Sequence, residues 1–190
     1  DLQTEGVDFF ETFAPVVQWS TIRLLLTLTL TNNWTTRQVD YTNAFAQADI
    51  NEQVYIEPPR GFAPKRNKDS VLHLQKSLYG LKQAPKTFYD KLSSGLLERG
   101  FRKSEIDPCL FMKKDMICVV YVDDTILAGP DINAIEEEIR GLGVSKDEQR
   151  HTFQLRDEGE VGDFLGIRIQ KTGKQQFKLC QPGLIKKVLK

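Results

Sequence analysis

The chain has 190 residues, 40% of them hydrophobic and 27% charged, and its formal net charge is zero. That composition is ordinary for one soluble domain with a substantial core, and no repeat or low-complexity segment interrupts it. The most apolar run, residues 21–34, carries Arg23 and is too short to span a bilayer, while three widely spaced cysteines (Cys109, Cys118, Cys180) argue against a disulfide framework or a zinc site and for a reducing compartment.

In chain order, residues 20–30 predict a helix. Ser20 or Thr21 is the expected cap, and Ile22, Leu25, Leu26 and Thr29 share one side. Residues 34–40 predict a short strand ending at Asp40, and 41–48 a helix or tight loop. Residues 52–57 alternate like a strand, 58–70 form a turn-rich connection, and 71–75 are a further strand candidate. Pro85 is placed to open a helix in which Phe88, Leu92 and Leu96 recur at four-residue steps, and Gly100 is placed to stop it. Residues 109–113 and 116–122 read as two strands joined by a short turn. A second tight turn over Val122–Thr125 leads into residues 126–129, so the three strands form an antiparallel meander. Pro130 and Asp131 begin a helix with Ile132, Ile135 and Ile139 on its apolar face. Residues 161–170 and 175–180 pair across KTGK, and a helix closes the sequence. The fold class this order predicts is α+β, an antiparallel sheet with helices packed on one side. The absence of an initial methionine and the ending inside a helix (LIKKVLK) are what a piece of a longer polypeptide would show.

Neutral net charge hides a strong segregation. Residues 60–103 hold eleven basic residues against three acids, residues 164–190 hold seven against none, and residues 131–163 hold ten acids against four basic residues. Such separation supplies a basic face for a polyanion, or a merely solvated helix surface.

Asp123 and Asp124 sit side by side between two apolar runs. Short acids satisfy turn amides, so a structural turn is one reading. The other is chemical. Adjacent carboxylates repel unless a cation is present. Asp40 ends a predicted strand 83 positions upstream and is a candidate third carboxylate. Three oxygen donors without histidine or cysteine suit Mg2+ or Mn2+.

The surrounding text carries a resemblance. YVDD (121–124) resembles the polymerase signature of reverse transcriptases. FFETFAPVVQWSTIRLLL (9–26), VDYTNAFAQADINEQVYIEPPRGF (39–62), HLQKSLYGLKQAPKTFYDKL (73–92), SEIDPCLF (104–111), YVDDTILAG (121–129) and GEVGDFLGIRI (159–169) run in order. Together they resemble the reverse transcriptase of copia-type long-terminal-repeat retrotransposons. The resemblance implies a reverse-transcriptase palm with partial fingers. Residues 1–35 and 50–85 would be partly fingers, and 36–49 and 86–190 mostly palm. It implies RNA-directed DNA synthesis by two-metal nucleotidyl transfer, with Asp40, Asp123 and Asp124 holding two Mg2+ or Mn2+ ions. Tyr41, Phe45, Gly80, Lys82 and Gln83 would bind the nucleotide, with the Phe45 ring excluding a 2′-hydroxyl. Tyr121, Val122, Phe164, Leu165 and Gly166 would contact the primer.

Implied partners are an RNA template, a DNA primer, deoxynucleoside triphosphates, and the integrase and RNase H segments of a polyprotein, with no membrane. The implied setting is intracellular, a cytoplasmic virus-like particle with nuclear passage. The chain departs from the family pattern in AFAQADI, where AFLNGDL is usual, in Phe88, where tryptophan is usual, and in lacking the basic block expected upstream. Arg23 and Lys82 are the nearest substitutes for it. A non-catalytic palm remnant that binds RNA or protein is the rival reading. A metal-dependent nuclease accounts for less, having no use for Phe45 or SLYGLKQAP.

Overall fold

The computed structural model describes residues 3–59, 61–62, 70–144, 151–173 and 176–189. Of the predicted 58–70 connection, residues 60 and 63–69 lie outside the described residues, as does Lys174 of the KTGK turn. The expected helices form: α1 (Trp19–Thr31), α2 (Ala84–Glu98), α3 (Ile132–Gly143) and a short α4 (Pro182–Val188) last. The strands are β1 (Thr35–Tyr41), β2 (Tyr55–Ile56), β3 (Leu72–His73), β4 (Arg102–Lys103), β5 (Leu110–Lys113), β6 (Met116–Tyr121), β7 (Asp124–Gly129), β8 (Leu155–Gly159), β9 (Asp163–Phe164), β10 (Ile167–Gly173) and β11 (Gln176–Cys180). Two compact units result, Asp1–Ala14 with Asn43–Lys91, and Pro15–Thr42 with Leu92–Lys190.

The larger unit is built on a six-stranded sheet in the order β4-β5-β6-β7-β1-β8, antiparallel at each pairing. The predicted meander is β5-β6-β7. β1 returns beside β7 and places its carboxylate opposite the hairpin turn. β8 was not foreseen, because LRDEG carries three charges and no apolar alternation. β9, β10 and β11 make a separate three-stranded sheet. Residues 161–170, expected as one strand, fold back on themselves at Leu165–Gly166, so that Phe164 pairs with Ile167. Both turn residues have positive φ, +55° and +72°, as a two-residue hairpin of this twist demands.

The middle of the sheet is covered on both faces. Residues 125–128 of β7 are all buried, and consecutive burial means that both faces are covered. α3 lies against the face carrying Arg37 and Lys113, which pair with its Glu136 and Glu138. Its buried stripe is Ile135, Ile139 and Leu142, with Ile132 only half-buried. Asp131 caps α3 by accepting from the Asn133 N–H at 2.9 Å. α1 packs on the same central strands. Neither Ser20 nor Thr21 caps it by its own side chain. Asp107, 2% exposed, accepts instead from the Gln18 N–H at 3.0 Å and from the Thr21 hydroxyl at 2.5 Å. A carboxylate from the β4–β5 connection thus meets the positive end of α1.

In α2, Phe88, Leu92 and Leu96 are fully buried. Gly100 (φ +84°) ends that helix. Its N–H reaches Leu97 O at 2.9 Å and the Phe101 N–H reaches Leu96 O at 3.1 Å, the paired bonds of a glycine-closed helix end.

In the smaller unit, β2 pairs with β3 and Tyr55 stacks on His73 at 4.9 Å. The uncertain 41–48 segment resolves into the last residue of β1 and a single tight turn, Ala44–Gln47.

Candidate active site

The register of β1 against β7 brings Asp40 directly opposite Asp124, two carboxylates on one face of the sheet. The Tyr41 N–H donates to Asp123 O at 3.1 Å, so the 40/124 couple is the closer, non-hydrogen-bonded kind, with Cβ atoms roughly 4.5–5.5 Å apart. On the other side β6 sets Tyr121 opposite Asp124. The hairpin between them is only Val122 and Asp123. Val122 has φ +51°, a conformation that costs a β-branched side chain steric strain. A two-residue turn of this hand requires it, and strain of this kind concentrates at functional sites. The turn puts Asp123 beside Asp124 without the alternation a straight strand would impose.

Electrostatics report the crowding. Burial first, then Asp123, Asp40 and Glu158, push the Asp124 carboxyl up to about 6, while a hydrogen bond from Gln38 pulls the other way. Glu158 lies on β8, the strand that sequence reading missed, and so does Arg156, whose register partner is Asp40. A charged pentapeptide offers no periodic signal, so neither residue was legible. Gln38, 5% exposed, was likewise hidden, as a polar residue in a strand expected to alternate.

The expected primer-contact residues fall in the same unit. Tyr121 and Phe164 meet edge to face at 6.3 Å between ring centroids. Phe164 is 1% exposed, Leu165 is half-buried, and Gly166 is exposed at the tip of its turn.

The expected nucleotide residues divide. Tyr41 belongs to the sheet but cannot offer its side chain to a nucleotide. It is 2% exposed, alternates to the face opposite Asp40 and packs against Phe153 at 5.6 Å. Phe45, Gly80, Lys82 and Gln83 belong to the smaller unit. Phe45 is half-buried and leans on Tyr79 (4.5 Å) and Phe88 (6.4 Å). Gly80 is exposed at φ +102°, where glycine alone is at ease. Lys82 is exposed and sets its ammonium 4.7 Å from the centre of the Phe9 ring. The Gln83 amide is 1% exposed, donating to Asp8 O at 2.8 Å and accepting from Gln3 Nε2 at 2.9 Å. Its side chain is held by these bonds as a bracket within the smaller unit.

Among the described residues, no three Asp, Glu, His or Cys side chains converge closely enough to form a metal site as they stand. The donor chemistry nonetheless fits a hard divalent cation. The cluster is oxygen-only, and Asp124 resists ionisation because it is partly buried among Asp123, Asp40 and Glu158. No helix of the described residues is long and apolar enough to cross a membrane.

Comparison with known proteins bears on the whole chain. The family profile described as "Reverse transcriptase (RNA-dependent DNA polymerase)" matches residues 2–190. The Pol polyprotein of transposon TNT 1-94 from Nicotiana tabacum is 34% identical over 194 residues, 98% of this chain and 14% of the polyprotein. That of transposon RE1 from Arabidopsis thaliana is 37% identical over 173 residues, 89% of this chain and 11% of the polyprotein. The Ty1-H Gag-Pol polyprotein of Saccharomyces cerevisiae is 31% identical over 175 residues, 89% of this chain and 10% of the polyprotein. The chain thus spans only about a tenth to a seventh of these relatives. No solved structure matches it significantly.

Proposed function

We propose a function from one premise: the chain belongs to the reverse transcriptase (RNA-dependent DNA polymerase) family. It is the polymerising part of a copia-type retrotransposon polyprotein and extends a DNA primer on an RNA template with deoxynucleoside triphosphates. The observation that carries the reading is the direct opposition of Asp40 and Asp124 across β1 and β7, with Asp123 in the adjoining two-residue turn.

In this reading Asp40, Asp123 and Asp124 hold Mg2+ or Mn2+, two ions in all. When bound, such ions lower the pKa of the attacking primer hydroxyl and offset the charge on the triphosphate. Asp40 and Asp124 supply oxygens from rigid neighbouring strands, and the strained Val122 turn keeps Asp123 at their edge. Tyr121, Val122 and the Phe164-Leu165-Gly166 hairpin hold the primer end, so that its hydroxyl faces the carboxylates. Phe45 closes the space beside the sugar of the incoming nucleotide. Gly80 admits close backbone approach and Lys82 offers a cation to phosphate. The basic residues of 60–103 and the C-terminal lysines meet the nucleic-acid backbones. Residues 36–49 and 86–190 are mostly palm, and residues 1–35 and 50–85 are partly fingers. Integrase and RNase H segments of the same polyprotein are partners. The setting is intracellular, in a cytoplasmic particle with passage to the nucleus. A non-catalytic remnant is less well supported, because Asp40, Asp123 and Asp124 are all present.

The test is extension of a DNA primer on an RNA template by the full polypeptide carrying this chain, with deoxynucleotides and Mg2+. Extension that stops on chelation is expected. Template binding without extension would overturn the reading in favour of the remnant. In the same assay Phe45→Ala is expected to raise ribonucleotide use relative to deoxynucleotides by about 10- to 200-fold, the scale on which a pocket discriminates by shape. An unchanged ratio would remove Phe45 from the sugar pocket.

A further inference from the structure

Gln38 stands two residues before Asp40 on β1 and on the same face of the sheet. Its side chain is 5% exposed, so its amide must find partners within the protein. Nε2 donates to Asp163 O at 3.1 Å and to Glu158 Oε2 at 3.3 Å, and Oε1 accepts from the Gly162 N–H at 3.3 Å. Two positions earlier, Thr36 Oγ1 accepts from the Val161 N–H at 3.2 Å. Alternate side chains of one strand therefore hold the backbone of residues 161–163.

That backbone is the root of the β9–β10 hairpin. The Ile169 N–H closes it onto Gly162 O at 2.7 Å. The hairpin belongs to a different sheet from β1, so no strand ladder fixes its placement relative to the carboxylates. Gln38 supplies the missing link. A primary amide can donate to a carbonyl and accept from an N–H at once, which fixes both position and rotation of the segment it grips. Tyr121 against Phe164 then gives the hairpin a second, apolar point of contact.

We propose that Gln38 is a positioning residue, which through the 162–163 backbone fixes the hairpin carrying Phe164, Leu165 and Gly166 relative to Asp40 and Asp124, and so sets where a primer end is held. This rests on the polymerase reading above. A carboxylate cluster alone does not place a hydroxyl, and a shift of the hairpin misaligns the primer end without altering any metal ligand.

The test uses the full polypeptide carrying this chain with Gln38→Met, which keeps volume and removes every bond described. Thr36→Val is a milder second variant. Amide hydrogen exchange reads the hairpin without reference to activity. Gln38→Met is expected to speed exchange at Gly162 by about tenfold, the scale of one lost hydrogen bond, and to leave the amides of β6 and β7 as they were. In primer extension it is expected to speed primer–template dissociation by about tenfold with an unchanged KM for the nucleotide. Thr36→Val is expected to act in the same direction and less. Unaltered Gly162 exchange overturns the proposal, as does extension indistinguishable from the unsubstituted protein. So does a uniform loss of protection through β6 and β7 with the KM for nucleotide and the KM for primer–template both raised, which marks a purely structural role. If the unsubstituted polypeptide does not extend primers, the polymerase reading has failed and the primer role falls with it, and Gly162 exchange still tells whether Gln38 holds the hairpin.

Discussion

Asp124→Asn is expected to reduce primer extension by at least about a thousandfold, as removal of one member of a catalytic unit does, and at the same time to make the metal-free protein more stable at neutral pH. The two effects share a cause. Asp124 is pressed against Asp123, Asp40 and Glu158 in a half-buried position, and its carboxyl is pushed up to about 6 from an ordinary 3.8. Between those two values the folded protein binds a proton that the unfolded chain has released. Stability from this group is therefore fully present below about pH 4 and is lost as the pH rises through about 6. Above that the fold carries an ionised carboxylate it would rather keep neutral. A shift of this size corresponds at most to about 3 kcal/mol, and partial solvent screening brings the expected effect to about 1–2 kcal/mol. For a chain of this length that is a rise of several degrees in Tm.

Asparagine keeps the shape and drops the charge. Thermal melts in chelator should show the variant above the unsubstituted protein at pH 7.5 and level with it at pH 4. A gap of the same size at both values would refute the electrostatic account. Added Mg2+ should raise the Tm of the unsubstituted protein more than that of the variant, since ligand binding stabilises only the state that binds. Asp123→Asn should match the loss of extension, because the two-residue turn presents both carboxylates together.

Legibility in the sequence tracked the local signals. A tight turn over Val122–Thr125 was readable from two acids between apolar runs, although Asp124 and Thr125 already belong to β7, and the buried α2 stripe was readable from its four-residue period. The pairing of Asp40 with Asp124 followed once the strands were placed. What escaped reading was the non-local part. β8 has charges where a strand usually has alternation, and only its docking onto β1 makes it a strand. The Leu165–Gly166 turn lies inside an apolar run and lacks the Asn-Gly or Asp-Gly signal of a tight hairpin. The burial of Tyr41, Gln83 and Gln38 escaped reading for one reason. Residue type suggests polarity, whereas burial depends on which face of which element a tertiary neighbour covers. Glutamine is usually exposed, and two of the chain's glutamines are buried brackets, Gln83 onto residues 3 and 8 and Gln38 onto residues 162–163.

The largest loss of stability from a single substitution is expected at Arg99, another buried polar bracket of the larger unit. Arg99 is 8% exposed. Nη1 donates to Gly95 O at 2.8 Å, and Nη2 to Gly141 O at 2.5 Å and His151 O at 2.8 Å. Gly95 lies in the last turn of α2 and Gly141 in the last turn of α3, so the cation sits where two helices present their negative ends. One planar fork thus ties both helix ends to the segment that leads into β8. Arg99→Met fills much of the volume but leaves three carbonyls without this donor, and a loss of about 3–5 kcal/mol is expected, the scale seen when a buried charge network is broken. Arg99→Lys should recover little, because a single ammonium cannot span three carbonyls held in fork geometry.

Urea denaturation reads this directly, and a loss below about 1 kcal/mol, the worth of one ordinary hydrogen bond, would refute it. Native domains hold only about 5–15 kcal/mol in reserve, so the variant should show a large unfolded fraction near physiological temperature. Its chemistry should survive in the molecules that remain folded. Arg99 acts from the face that buries Tyr41, opposite the one that carries Asp40 and Asp124, and extension per folded molecule should therefore match the unsubstituted protein. A fall in that ratio would mean that the helix ends behind the sheet help to set the register of β1 against β7, and hence the spacing of the carboxylates themselves.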